Sequence, residues 1–314
     1  FDVIFAEPDR TSPASIAANL PPDPQYGPVR AQLATLPDPD AEFAAALERT
    51  RSVLAFAYSD DEQLKDREGI DYHYSIAVIG PPTADQAVLA QVRGGHYAAL
   101  PLPRLVRAAH GLGEIQAGEP DIDGVVRRIP MVISIGDRLF NTFAGDTLRV
   151  GVGGQTTQIK VTENGFIDRM RIGEVILPVN ELGELRLYDT GLQPQRRVSL
   201  ADIFDDGFDP ERIGGKLVLI GATALGFQDI RTTPITPYMP GVEVHAQTLE
   251  QILGNQFLTR SYDADAIEQL YLGGFGLVLL FFLYRRSAIA GTVVLVGAIA
   301  VTVGVSWWQF AEKG

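Results

Sequence analysis

Apolar residues fall into short runs over the first 265 positions of this chain and into two long runs at its end. Residues 270–284 read LYLGGFGLVLLFFLY and residues 288–310 read AIAGTVVLVGAIAVTVGVSWWQF, with Arg285 and Arg286 between them. The second run carries no charge and meets the ~20 residues that a bilayer-spanning helix needs; the first reaches that length when 267–269 form its interfacial end. The pattern predicts two transmembrane helices, 266–286 and 287–310, joined by a tight turn. Residues 1–265 then form a domain standing on the membrane.

Within that domain the runs are short and their period changes. FDVIF (1–5), VLAFAY (53–58), SIAVIG (75–80) and LVLIG (217–221) are near-continuous apolar runs of the kind that buried strands show. Residues 156–187 alternate instead, as TTQIKV, FIDRMRI, EVILPV and ELRLY separated by Gly or Asn, which predicts an antiparallel section. VVRRI and MVISI read as two further strands around Pro130. Helical spacing marks 41–49, with Asp40 as its cap, then 102–110, 140–148 and 242–253. The proline-rich stretch 20–39 reads as loop, and 59–74 as a charged, irregular segment. Interleaved strands and helices, closing in a strand–loop–helix unit over 217–253, predict an α/β fold with a mixed sheet.

Charge narrows the partners. The chain carries 26 basic and 39 acidic side chains. Residues 266–314 hold only Glu268 and Glu312 against Arg285, Arg286 and Lys313, so the first 265 carry 37 acids and 23 bases, a net −14. Such a surface argues against nucleic acid and against adhesion to anionic lipid. The chain has no cysteine, which excludes disulfides and thiolate metal sites. Arg285 and Arg286 in a short turn mark it as cytoplasmic, which puts residues 1–265 outside; Trp307 and Trp308 suit the outer interface. The start at Phe1 within an apolar run is read as that of a fragment whose amino-terminal span is missing.

The crossing GATALGFQDIRTTPITPYMPG (221–241) joins the last predicted strand to the last helix of the domain, the place where open α/β sheets take ligands. Thr223, Asp229, Arg231 and Thr233 in this crossing, with Glu243 and His245 beyond it, are the candidate ligand-binding residues. All but Arg231 have a plainer reading. Thr and Asp satisfy their own loop backbone, Glu243 favours a helix start through the dipole, and one histidine in an apolar helix is most often a packed one. No phosphate loop is present, because Phe227 stands where its lysine would be. None of His73, His96, His110 and His245 has the spacing of a zinc ligand pair, and no catalytic or metal residue is expected here. Arg127 and Arg128 invite an anion, but the acidic residues beside them are nearer partners.

The ordered segments FDVIFAEPDRTSP, DGVVRRIPMVI, LVLIGATALGFQDIRTTP and PGVEVHAQTLEQIL resemble the CHASE2 family, followed by apolar spans in that family's usual position. The resemblance implies an extracytoplasmic sensor module of a bacterial receptor in the inner membrane, crossing the bilayer several times, with its sensor in the periplasm. It further implies an amino-terminal span, additional spans after the sensor, and a cytoplasmic effector: a nucleotide cyclase, a histidine kinase or a serine/threonine kinase. FAEPDRTSP looks most like members joined to class III adenylate cyclases. The implied partners are the lipid bilayer, a second copy of the chain, and an unknown periplasmic ligand or protein. The implied cofactors, ATP and Mg, belong to the effector alone. The chain departs from the pattern in lacking the family's opening tryptophan- and proline-containing motif and in holding only two spans.

Overall fold

The computed structural model of the chain describes residues 1–64, 75–116, 118–154, 156–223, 229–259, 264–285 and 288–313. Residues 65–74 of the charged segment, with His73, lie outside these, as do 224–228 of the candidate loop, with Phe227, and Arg286 of the apolar turn. Two units form, Phe1–Asn255 and Gln256–Gly314.

The first unit begins with three helices, α1 (Pro13–Asn19), α2 (Gly27–Leu33) and α3 (Pro39–Glu48). The α2 helix corrects the expectation of loop over 20–39. Pro28 sits in its first turn, where a missing N–H leaves no hydrogen bond unmade. The α3 helix is capped by Asp38, whose side chain accepts from the Asp40 amide; Pro39 at the first helical position moves the cap two residues upstream of Asp40. Then come β1 (Val53–Ser59), β2 (Ser75–Ile79), α4 (Ala84–Gln91), β3 (Gly94–Gly95), β4 (Tyr97–Ala99), α5 (Pro103–Ala108) and β5 (Gly111–Glu114). The β5 strand, GLGE, has no strand-forming composition and forms because β1 pairs with it in parallel along its whole length.

Next are β6 (Arg128–Pro130), β7 (Val132–Ile135), β8 (Arg138–Asn141), α6 (Phe143–Gly151), β9 (Thr156–Val161), β10 (Ile167–Ile172), β11 (Val175–Leu177) and β12 (Glu184–Arg186). The unit closes with α7 (Leu200–Ile203), β13 (Ile230–Arg231), β14 (Met239–Pro240) and α8 (Gly241–Leu253).

The sheets are mixed, as the interleaved pattern predicts. One has the order β4-β1-β5, and a second the order β11-β10-β9-β2, its first three strands antiparallel and β2 added in parallel. The predicted antiparallel section therefore ends at β11, because β12 pairs with β6 instead. There Leu185 and Leu187 are buried. Two expected strands do not form. Leu217 and Val218 are 41% and 49% exposed, and only Gly221 of that run is bridged, to Asp2. Residues 1–5 are held at three points, Phe1 N to Val53 O (2.7 Å), Asp2 N to Ile220 O (2.7 Å) and Leu102 N to Phe5 O (2.8 Å). A strand needs a continuous ladder, and each of these runs finds only an isolated bridge.

The core lies on both faces of β1. Leu54 and Phe56 pack with Leu47 of α3, Leu105 of α5, Leu112, Ile133 and Phe140, while Val53 and Ala55 face Phe143 and Val150 of α6. Burial on both faces is why VLAFA reads as one apolar run. On the α6 side the strand next to β1 presents glycines: a Cβ on Gly113 would sit 2.5 Å from Phe143 Cα, and one on Gly111 2.2 Å from an Asp146 oxygen.

The second unit is α9 (Ala264–Arg285) and α10 (Ala288–Lys313). Ala266–Tyr284 and Ala288–Trp308 are long and apolar enough to cross a membrane. Leu283 packs on Gly291 near the turn, and the Tyr271 hydroxyl meets Thr302 Oγ1 at 2.7 Å far from it, so the two helices run antiparallel.

Replacing Gly113 by Ala presses a methyl into the α6 backbone, which costs about 1–3 kcal/mol or more and lowers the melting temperature by several degrees. Gly207→Ala, with nothing within 4 Å of its Cβ, leaves it unchanged. Thermal unfolding of the two variants checks this, and equal melting temperatures would remove the close approach as a constraint.

Candidate functional site

Asp146 on α6 is fully buried, and its oxygens accept from four donors. These are Leu112 N (2.8 Å), Asn141 Nδ2 (3.1 Å), and Arg149 Nε (2.6 Å) and Nη2 (3.1 Å). Asn141 also donates to Thr157 Oγ1 (3.0 Å), and Arg149 to His110 O (3.0 Å) and Gly154 O (3.2 Å). Burial pushes Asp146 upward in pKa while Arg149 opposes it. This lattice fixes α6 against β5, β8 and β9. It thereby sets the position of Phe143, whose ring meets His245 of α8 edge-on at 5.2 Å.

His245 opens the candidate cluster. It is fully buried, and its Nε2 lies 2.8 Å from the Ile115 carbonyl, so Nε2 carries the proton and donates. Its Nδ1 has no partner among the described residues, and burial lowers its pKa to about 4, which keeps the ring neutral. Asp2 Oδ1 lies 4.0 Å from Nε2. Asp2 is raised to about 7, first by burial and then by the charge of Asp229. Asp229 accepts from the Gly241 amide through its backbone carbonyl (3.0 Å), and its carboxylate lies 2.2 Å from where a Gly241 Cβ would be. Only glycine leaves room for that carboxylate over the amino terminus of α8. Arg231 Nη2 stands 3.4 Å from Asp229 Oδ1, and its charge acts on Asp2, His245 and Glu114 together.

Glu114 ends β5 with no exposed surface. One oxygen accepts from Gln116 N (3.0 Å), and the other has no partner among the described residues. Burial raises it to about 8 against the pull of Arg231. Beside it, walled also by Tyr58, Arg93 and Ile133, is a cavity of about 10 Å³, room for a single water.

The six residues singled out from the sequence divide. Asp229, Arg231 and His245 share the cluster at the start of α8. Glu243, in the first turn of the same helix, is ion-paired with Arg197 instead. Thr233 is buried in its own turn, donating to Thr236 O (3.1 Å), and Thr223 is exposed. Asp2, Glu114 and the Asp146–Arg149 pair escaped the sequence reading. The available signal was an acid inside an apolar stretch: Asp2 in FDVIF, and Asp146 on the apolar face of its helix. Arg127 and Arg128 are paired with carboxylates as expected, but both reach Asp121, because β6 starts only at Arg128 and does not hold the two on opposite faces. Among the described residues no group of three or more His, Asp or Glu is placed to hold a metal ion.

The buried acids and the histidine act oppositely on stability. Folding holds the proton on Glu114 between its usual 4.5 and about 8, and on Asp2 between 3.8 and about 7, so the unfolded chain binds fewer protons there and stability falls as pH rises. His245 adds stability as pH rises from about 4 to 6.5, since only the unfolded ring is charged there. Glu114→Gln is expected to match the parent below pH 4.5 and to exceed it in stability at pH 8. Urea unfolding across that range checks this, and identical pH profiles would show that Glu114 is ionised in the folded state.

Curated proteins and solved structures each yield no match to this chain. The model of the CHASE2 domain matches residues 1–283, all of the first unit and most of α9, and the chain belongs to the CHASE2 family of extracytoplasmic sensor domains.

Proposed function

We propose that this chain is the sensor and transmembrane transmission module of a bacterial receptor whose cytoplasmic effector is a class III adenylate cyclase, converting ATP to cAMP. The observation that carries the reading is the CHASE2 match running into two helices long and apolar enough to cross a membrane. The sensor lies in the periplasm, the helices cross the inner membrane, and the receptor works as a homodimer. ATP and Mg bind only in the effector, outside these residues.

Transmission starts from α8, the last helix of the first unit, which continues in sequence into α9. A periplasmic ligand or protein shifts the receptor only by binding two arrangements unequally. The incompletely paired groups beside α8, at Asp2, Arg231 and His245, are the polar atoms that a second arrangement would satisfy. Cyclase control is supported by the likeness of FAEPDRTSP to cyclase-linked members of the family.

A cysteine at Glu163, in the exposed turn between β9 and β10, gives the chain one thiol. It is expected to react with a membrane-impermeant maleimide in intact spheroplasts; reaction only after lysis would place the sensor in the cytoplasm. Membranes carrying the full-length gene product are expected to make cAMP from ATP, and Arg231→Ala to change the signal dependence of that rate. Autophosphorylation without cAMP would replace the cyclase by a kinase, and activity in neither assay would leave a tethered binding protein.

A further inference from the structure

On the first unit, at the end of the sheet where β1 and β5 begin, lies a cleft of about 530 Å³. That volume suits a small-molecule ligand. Its lining includes Glu48, Arg51, Arg107, His110, Arg149 and Gly154. The domain has a large excess of acids, yet the cleft gathers three arginines and a histidine around one glutamate.

Most arginines of this unit hold a carboxylate: Arg93 has Glu184, Arg104 has Asp38, Arg127 has Asp123 and Arg196 has Glu250. In the cleft, Arg149 is committed to Asp146 and to the carbonyls of His110 and Gly154. Arg51 and Arg107 are exposed and have no carboxylate within 4 Å among the described residues, Glu48 in the same cleft included. Each presents a planar fork of donors with no partner of opposite charge, the geometry that grips a carboxylate or phosphate bidentately.

The α3, α5 and α6 helices end at this cleft, with Glu48, Ala108 and Val150 in its wall. Helix carboxyl ends attract cations, by about 0.3–1 kcal/mol each. That attraction explains a basic residue near each end but leaves the donors of Arg51 and Arg107 unspent. The same ends, with Glu48, oppose a third negative charge.

We propose that this cleft binds a small solute through one carboxylate or phosphate group, held by Arg51 and Arg107, with the rims fixed by Arg149. The site is separate from the cluster around His245. The α6 helix joins the two, ending at the cleft and setting Phe143 against His245 at its other end. Binding stands independently of the receptor reading; only its role as an input signal rests on that reading.

The test is thermal unfolding of the intact chain in nanodiscs, titrated with lactate, inorganic phosphate or citrate at constant ionic strength against chloride. A saturable upward shift is expected with lactate or phosphate, the stronger of the two naming the preferred group. The Arg51→Gln/Arg107→Gln double variant is expected to unfold normally without ligand and to bind at least about tenfold more weakly, through the loss of charge-assisted hydrogen bonds. Arg169→Gln, an exposed strand arginine elsewhere, is expected to bind like the parent. No saturable shift with either lactate or phosphate, or a shift that survives the double variant, would overturn the site. Tightest binding by citrate would overturn the limit to one anionic group. These outcomes are read without any cyclase assay, so a failed site and a failed receptor assignment are told apart.

Discussion

The first unit depends on one buried carboxylate. Asp146 has no exposed surface and accepts from a β5 amide, a β8 side chain and the Arg149 guanidinium, and Arg149 in turn ties down the carbonyls of His110 and Gly154. Removing one partner from such a pair leaves an uncompensated buried charge, at a cost of about 3–5 kcal/mol. The strand it holds can accept α6 only because Gly111 and Gly113 carry no side chain. Close approach and buried charge are thus two halves of one device: the glycines admit the helix, and the carboxylate fixes its register.

Two features with different chemistry hang from that helix. At its carboxyl end is a wide cleft with unspent arginine donors. At its amino end Phe143 touches a neutral histidine within a set of incompletely paired acids and one arginine. Desolvation keeps Glu114 and Asp2 protonated at pH values where exposed carboxylates are ionised, and keeps His245 neutral where an exposed histidine is charged. Such a cluster tolerates change poorly and responds to small displacements, since moving Arg231 alters the field at all three groups. That behaviour suits the last helix of an extracytoplasmic sensor domain.

Much of this was legible beforehand. The apolar runs at the end announced two membrane-length helices through length and composition alone. Val53–Ser59, Ser75–Ile79 and Gly241–Leu253 appeared where their periods put them, and ordered motifs carried the family. The failures share a cause. GLGE became a strand through its neighbour rather than its composition, and LVLIG failed as a strand because no ladder forms beside it. Proline hid α2, since proline reads as a breaker but is tolerated in a first turn.

The sequence by itself determined the class of the chain, its acid balance and its two helices long and apolar enough to cross a membrane, because these follow from local period and composition. Only the tertiary structure decided which charged residues meet. Asp2 and His245 are 243 positions apart in sequence yet 4.0 Å apart in space, and Arg51 shares a cleft with Arg107 and Arg149. A carboxylate's pKa and an arginine's free donors depend on burial and on neighbours that folding supplies. Side-chain identity along the chain names the groups available, and only packing determines which are buried, which are paired and which remain free to bind.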